Sequence, residues 1–355
     1  MTIFTTRRIW GVLFLVAIAV VGVLVASAAA GALRQSVLLS LKSGILNPRY
    51  LLMLVPFAAW SYGLRIIRWH TLIRRLVPGL PLKVSGYSQV VGFAFSATPG
   101  RIAELYKLKL IERSTHLPVV QSLPAAIVER VTDIVAFALL ILIGGIFNWS
   151  GAFGAADRWI AVGVGLAALL VIYQVGRRVG WKQLSRLGMP FWRAHGARWS
   201  RRVPGFARLA SMLGQLWSGG SKVANPSTVA LALGCVVVGR LGDGVILWQI
   251  TRAVGYPVPF TMALLMIGSA GLVGGITFSP GGIGAAEATL VGLIVAHGAP
   301  LGAALVTAFG ARALIFWLWV VIGLLVFVVS HGSQIVGWVR PGSSRKLLAQ
   351  PEERM

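Results

Sequence analysis

The chain has a single cysteine, Cys235, so no disulfide can form within it, and its place in an apolar run argues against redox chemistry. Its five histidines, His70, His116, His195, His297 and His331, are scattered without metal-ligand spacing, so neither a metal site nor a cofactor is expected. No nucleophile–base pair is visible. The one glycine-rich run, Gly281-Gly282-Ile283-Gly284, lacks the strand–turn–helix setting that a dinucleotide fingerprint needs. Charge is scarce too, at 12% of residues, and only nine residues are acidic against 33 lysines and arginines. A chain that is 57% hydrophobic with mean hydropathy +0.81 is not a soluble globular protein.

What is present is a set of apolar runs suited to the roughly 30 Å hydrocarbon core of a bilayer. Residues 9–33 carry no charge and follow Arg7 and Arg8. Their small-residue end imitates a signal-peptidase site, but the apolar stretch is too long for a signal peptide and reads as a first span. Further spans are expected over 50–69, 117–147, 159–175, 226–254 and 301–330. Arg68, at the end of the second, reads as a snorkelling surface arginine, and Arg65, one turn deeper, is open to either reading. Residues 84–98 are about 22 Å long as a helix, too short to cross. Pro99-Gly100 then breaks the chain, Thr98 suits an N-cap, and a second short arm follows over 101–113. Lys107 and Lys109 make that arm too polar to span. Residues 260–278, the break at Ser279-Pro280-Gly281, and the arm 285–297 repeat the arrangement. The expectation is an all-α polytopic membrane protein, a single domain over 1–355, with six spanning helices and two re-entrant broken-helix hairpins.

The segment 176–225 differs in kind, with ten basic residues and no acidic one, interleaved with tryptophans. Between two spans this reads as a cytoplasmic surface segment on anionic lipid, and not as a nucleic-acid site. Basic residues gather on alternate loops, which places both termini in the cytoplasm.

The two breaks head an internal repeat. Thr98-Pro99-Gly100-Arg101-Ile102 parallels Ser279-Pro280-Gly281-Gly282-Ile283, and Pro118 and Arg130 parallel Pro300 and Arg312. The first repeat covers about 9–147 and the second about 159–330. With an odd number of spans between the breaks, the halves have inverted topology, which is transporter architecture.

Ionisable residues inside apolar segments are costly and default to functional candidates. Arg101/Glu104, Arg130/Asp133 and Arg240/Asp243 are spaced as helical i,i+3 neighbours, able to neutralise one another. Glu129, Glu287 and Arg312 have no opposite charge nearby on their own helices, so they need partners from other helices, water or a ligand. Arginines beside broken-helix ends favour an anionic group, most naturally a phosphate. Arg312, with no acidic residue at i±3 or i±4, offers a cleaner test of phosphate contact than its repeat mate Arg130.

The motifs Thr98-Pro99-Gly100-Arg101-Ile102-Ala103-Glu104, Val128-Glu129-Arg130-Val131-Thr132-Asp133 and Ser279-Pro280-Gly281-Gly282-Ile283-Gly284-Ala285-Ala286-Glu287 resemble the flippase-like transmembrane region of lysylphosphatidylglycerol synthases, the multiple peptide resistance factor family, and its stand-alone relatives. The resemblance implies that Arg101, Glu104, Glu129, Arg130, Asp133, Glu287 and Arg312 face a lipid cavity, and that the protein sits in a bacterial inner membrane. Fused relatives carry an aminoacyltransferase domain after the membrane region, and none is expected in this chain. The expected function is translocation of a phosphate-bearing lipid or lipid-linked intermediate between leaflets. The alternative is a membrane enzyme or accessory subunit acting on polyprenyl-linked, glycolipid or hopanoid intermediates. Expected partners are anionic membrane lipids, with a lipid-modifying enzyme and a second copy of the chain as further candidates.

Overall fold

The computed structural model describes residues 48–98, 105–147, 159, 162–167, 169–170, 206–277 and 279–339. All regular elements among them are helical. In chain order they are α1 (Pro48–Arg74), α2 (Leu82–Ala94), α3 (Tyr106–Thr115), α4 (Val119–Phe147), α5 (Phe206–Val223), α6 (Pro226–Ala253), α7 (Phe260–Ile276), α8 (Ala285–Ala296), α9 (Leu301–Arg312) and α10 (Leu318–Val339). A short 3-10 turn, Pro280–Gly282, joins α7 to α8, and a π-helical turn, Ala313–Trp317, joins α9 to α10 without a gap.

Among the described residues, three stretches are long and apolar enough to cross a membrane: Arg49–Arg74, Pro226–Ala253 and Leu301–Ser330. In α1 the buried residues Leu54, Ala58, Tyr62, Trp69 and Leu72 recur at helical spacing. Leu52, Met53, Phe57, Trp60 and Ile67 are exposed, as suits a side that meets hydrocarbon. Helix α6 starts cleanly, with the Asn225 side chain accepting the Ser227 N–H at 3.1 Å and Pro226 at the first helical position.

Helices α1 and α6 pack closely and run antiparallel. The Tyr50 hydroxyl, near the start of α1, donates to the Gln249 carbonyl near the end of α6 at 2.5 Å, and Trp60 Nε1 donates to the Val238 carbonyl at 3.2 Å. The approach depends on Gly242, where a Cβ would come within 2.7 Å of the Phe57 carbonyl oxygen. Small residues at a crossing are how helices gain contact where lipid offers no hydrophobic drive.

Each of the two long helices leads into a pair of short arms and then another long helix. Helix α2, 13 residues or about 20 Å, is too short to cross; it ends at Ala94 and tightens into successive turns over 95–98. The second arm, α3, begins by Tyr106 and closes at His116 in the left-handed region, φ 58°. In the other half the arms α7 and α8 are 17 and 12 residues long. Helix α2 packs against α10, and α7 packs against α4, so the first short arm of each half lies on the last long helix of the other.

The expected helices over 50–69, 117–147, 226–254, 260–278, 285–297 and 301–330 are present, most ends within about a turn, while the first runs on to Arg74 and the last to Val339. The expected arm over 84–98 is helical only to Ala94. The expected first span at 9–33, the break residues Pro99, Gly100, Arg101 and Glu104, and residues 176–205 lie outside the described residues, and 159–175 is described only in part.

Candidate functional site

Helix α4 turns Glu129, Thr132, Asp133 and Ala136 inward, a spacing that puts them on one buried face. Arg68 of α1 meets that face and is 2% exposed. Its Nη1 donates to Asp133 Oδ1 at 2.8 Å, to Thr132 Oγ1 at 3.3 Å and to the Glu129 carbonyl at 3.4 Å, while Nη2 donates to Glu129 Oε1 at 3.1 Å. The planar fork of the guanidinium lets one side chain grip two carboxylates a turn apart.

The second oxygen of Glu129 accepts a hydrogen bond from Lys107 Nζ of α3. Lys107 also donates to Gln89 Oε1 of α2 at 3.0 Å and sits 4.2 Å above the Trp69 ring. Gln89 returns a bond through Nε2 to Glu129 Oε1 at 3.2 Å, using both ends of its amide. Four helices thus converge on the Glu129 carboxylate.

On the other side the network passes to α6. Arg240 lies 3.7 Å from Asp133 and donates from Nη1 to Asp243 Oδ2 at 2.9 Å. Arg65 Nη2 donates to the same Asp243 oxygen at 2.9 Å. Arg130, on α4, is 3.6 Å from Asp133 and is the most exposed member, its side chain 37% accessible. The result is a chain of alternating charge: Lys107, Glu129, Arg68, Asp133, Arg240, Asp243, Arg65. Rings back several of its cations, Tyr62 under Arg65 at 4.2 Å and Phe137 under Arg240 at 4.4 Å.

Burying each ion costs several kcal/mol, and a pair at about 4 Å returns about 4 kcal/mol at an effective dielectric near 20. Such a network sits close to break-even, so stability alone is a weak reason for it. It also leaves two donors and an acceptor unspent. Arg68 Nε, Arg240 Nε and Asp243 Oδ1 are buried with no hydrogen-bond partner among the described residues. Arg68 and Arg240 border a cavity of about 350 Å³, counted to its open mouth, lined also by Arg65, Arg130, Gln89, Ser96, Glu129, Asp133 and the rings of Tyr62, Phe93 and Phe316. Its enclosed part has room for about one water.

The second break is built differently. Gly281, Gly282 and Gly284 take φ of 62°, 73° and 84°, a backbone path that side chains with a Cβ resist. Arg312 Nε donates to Glu287 Oε1 at 2.7 Å and its Nη2 to the Gly281 carbonyl at 2.9 Å. The other Glu287 oxygen accepts the Gly284 N–H at 2.8 Å. These bonds staple the loop to α9 just before the π turn. That turn presents Phe316 to the cavity, and the Tyr62 hydroxyl donates to the Ile315 carbonyl within it at 2.6 Å.

The structure therefore brings together Glu129, Arg130, Asp133, Arg240 and Asp243. It places Glu287 and Arg312 apart, bonded to each other; they do not line the cavity. Ser279, Pro280 and Gly281 form the second break. The Thr98 hydroxyl donates back to the Phe95 carbonyl at 2.7 Å. Arg68 is not a snorkelling surface residue: it is buried at the centre of the network, because α4 supplies two carboxylates that outcompete water for it. Lys107 and Gln89 were not singled out by their sequence setting. A signal for them existed in α2, where Ser85, Ser88, Gln89 and, beyond it, Ser96 form a polar stripe in an apolar arm.

A family model described as lysylphosphatidylglycerol synthase TM region matches residues 8–323. No curated protein matches the chain.

Proposed function

The chain belongs to the lysylphosphatidylglycerol synthase TM-region family, and from that premise we propose that it moves a phosphate-bearing lipid or lipid-linked intermediate between the two leaflets. The supporting observation is the cavity itself. Two buried arginines that line it, Arg68 and Arg240, keep unspent Nε donors. A phosphate is the group whose geometry matches several converging guanidiniums. Arg65, Arg68 and Arg240 would bind the headgroup and Arg130 would meet it at the mouth. Glu129, Asp133 and Asp243 hold those cations in place until it arrives. Arg101 and Glu104 belong to the same proposed site on the strength of the sequence motif.

The enclosed space holds about one water, so a headgroup enters only if helices part. The two halves supply a means. Antiparallel α1 and α6, with each half's short arm packed on the other's long helix, support reading the chain as inverted-topology repeats that rock about the site. The short arms would then be re-entrant hairpins. The staple of Glu287, Arg312 and Gly281 would keep the second hairpin closed at rest. The excess of basic residues on alternate loops supports a cytoplasmic loop at 75–81 and an outer loop at 254–259.

The test is reconstitution. Proteoliposomes holding the purified protein and a fluorescent phosphatidylglycerol should expose inner-leaflet probe to an external quencher, and protein-free vesicles should not. Wild-type protein that leaves the probe in place rejects translocation of that lipid. A new covalent lipid product in the mass spectrum would point instead to an enzyme.

A further inference from the structure

The cavity cluster contains four arginines, Arg65, Arg68, Arg130 and Arg240, and one lysine. Arginine keeps its proton at any pH a cell reaches, so the guanidiniums cannot exchange protons. Lys107 can. It is 1% exposed, the one lysine buried among the described residues, and it is hydrogen-bonded directly to Glu129, itself 1% exposed. The two form a buried acid–base pair. The other carboxylates are held differently. Asp133 faces Arg68, Arg130 and Arg240, and Asp243 faces Arg65 and Arg240, so among the described residues their ion-pair partners are guanidiniums.

The groups that face Glu129 come from each packed element. Among the described residues, Arg68 on α1, Gln89 on α2 and Lys107 on α3 bond it directly, and Arg240 with Asp243 on α6 and Arg65 on α1 follow further along the network. Its own helix adds Arg130 and Asp133, α7 packs on α4 through apolar residues and glycine, and α5 meets it near Gln121.

We propose that the Glu129–Lys107 pair takes up one proton when an anionic headgroup occupies the neighbouring arginines, so that lipid movement by this protein is coupled to proton movement. This rests on the headgroup reading of the cavity. Arg68 Nη2 is bonded to Glu129 Oε1, so a phosphate must compete with that carboxylate for Arg68. A proton on Glu129 removes the competitor and raises the charge of the cluster by one. The two events share one guanidinium and are linked: the factor by which the proton strengthens headgroup binding is the factor by which the headgroup strengthens proton binding. The neighbours tolerate the change. With Glu129 neutral, Lys107 keeps Gln89 Oε1 and the Trp69 ring, and Asp133 keeps Arg240 and Arg130. One proton enters from solution with each headgroup, rests on Glu129, and leaves to the opposite side when the headgroup departs. No bond of the lipid is made or broken.

The test uses the purified full chain in detergent and dihexanoyl phosphatidylglycerol, whose phosphodiester does not titrate near neutrality. Titration calorimetry in two buffers of different ionisation enthalpy counts protons taken up per lipid bound. Wild type should take up between about half a proton and one, and its affinity should fall by up to about tenfold per pH unit on the alkaline side of the transition. Glu129→Gln should bind the lipid with no proton uptake and a flat pH profile. If that variant fails to fold, the double variant Glu129→Gln with Lys107→Met, which removes both charges, takes its place, and the wild-type proton count decides in either case. Lipid binding of constant affinity with no proton uptake in wild type overturns the coupling and leaves the headgroup site standing. No binding at any pH overturns both.

Discussion

Replacing Arg68 with leucine separates a buried hub from a snorkelling arginine by magnitude alone. The change removes the 2.8 Å bond to Asp133 and the 3.1 Å bond to Glu129, along with the weaker contacts to Thr132 and the Glu129 carbonyl. Glu129 keeps Lys107 and Gln89, but Asp133 is left with Arg130 at 3.6 Å and Arg240 at 3.7 Å, both beyond a good hydrogen bond. Removing one partner of a buried ion pair costs about 3–5 kcal/mol. A solvated arginine at a helix end would cost about 0–1 kcal/mol. Arg68→Lys should fall between, at about 1.5–3 kcal/mol, since an ammonium keeps the charge but cannot bridge both carboxylates. Unfolding in mixed micelles, followed by helical circular dichroism, measures all three proteins. A cycle with Asp133→Leu should show a coupling of about 1.5 kcal/mol or more. Arg68→Leu within about 1 kcal/mol of wild type would refute the placement of this residue at the centre of the network.

Two further outcomes follow from the same geometry. Arg312→Lys should keep a link to Glu287 but lose the bond to the Gly281 carbonyl, loosening the second break by about 1.5–3 kcal/mol. Hydrogen exchange at Gly282 and Gly284 should quicken, and unchanged exchange would show that Arg312 does not staple the loop. For the orientation, a membrane-impermeant maleimide applied outside cells should label Tyr256→Cys but not Lys83→Cys in a Cys235→Ala background, both positions being exposed. The opposite pattern would invert the topology.

Much of the fold could be read from single-residue chemistry. Pro280 with its following glycines stops a helix wherever it stands, and a run over 301–330 whose one charge is Arg312 has no better solvent than lipid. The need of Glu129, Glu287 and Arg312 for partners beyond their own helices was likewise a local inference, since no opposite charge lies at i±3 or i±4 of any of them. The structure supplies those partners: Arg68 and Lys107 for Glu129, and Glu287 and Arg312 for each other.

Which cation would be buried was not legible. Arg65, Arg68 and Arg74 lie on one helix and carry the same charge, yet Arg68 is buried and Arg74 exposed. The difference comes from carboxylates 61 and 65 residues further on, at Glu129 and Asp133. The π turn at Ala313–Trp317 had no sequence signal either, being a run of ordinary apolar residues that forms where Tyr62 can bond the Ile315 carbonyl. Helix breaks and membrane runs follow from each residue's own backbone and solvation preferences, so the sequence determines them. Ion pairing and burial depend on what a neighbouring helix presents at the same depth, and only the packed tertiary structure decides that.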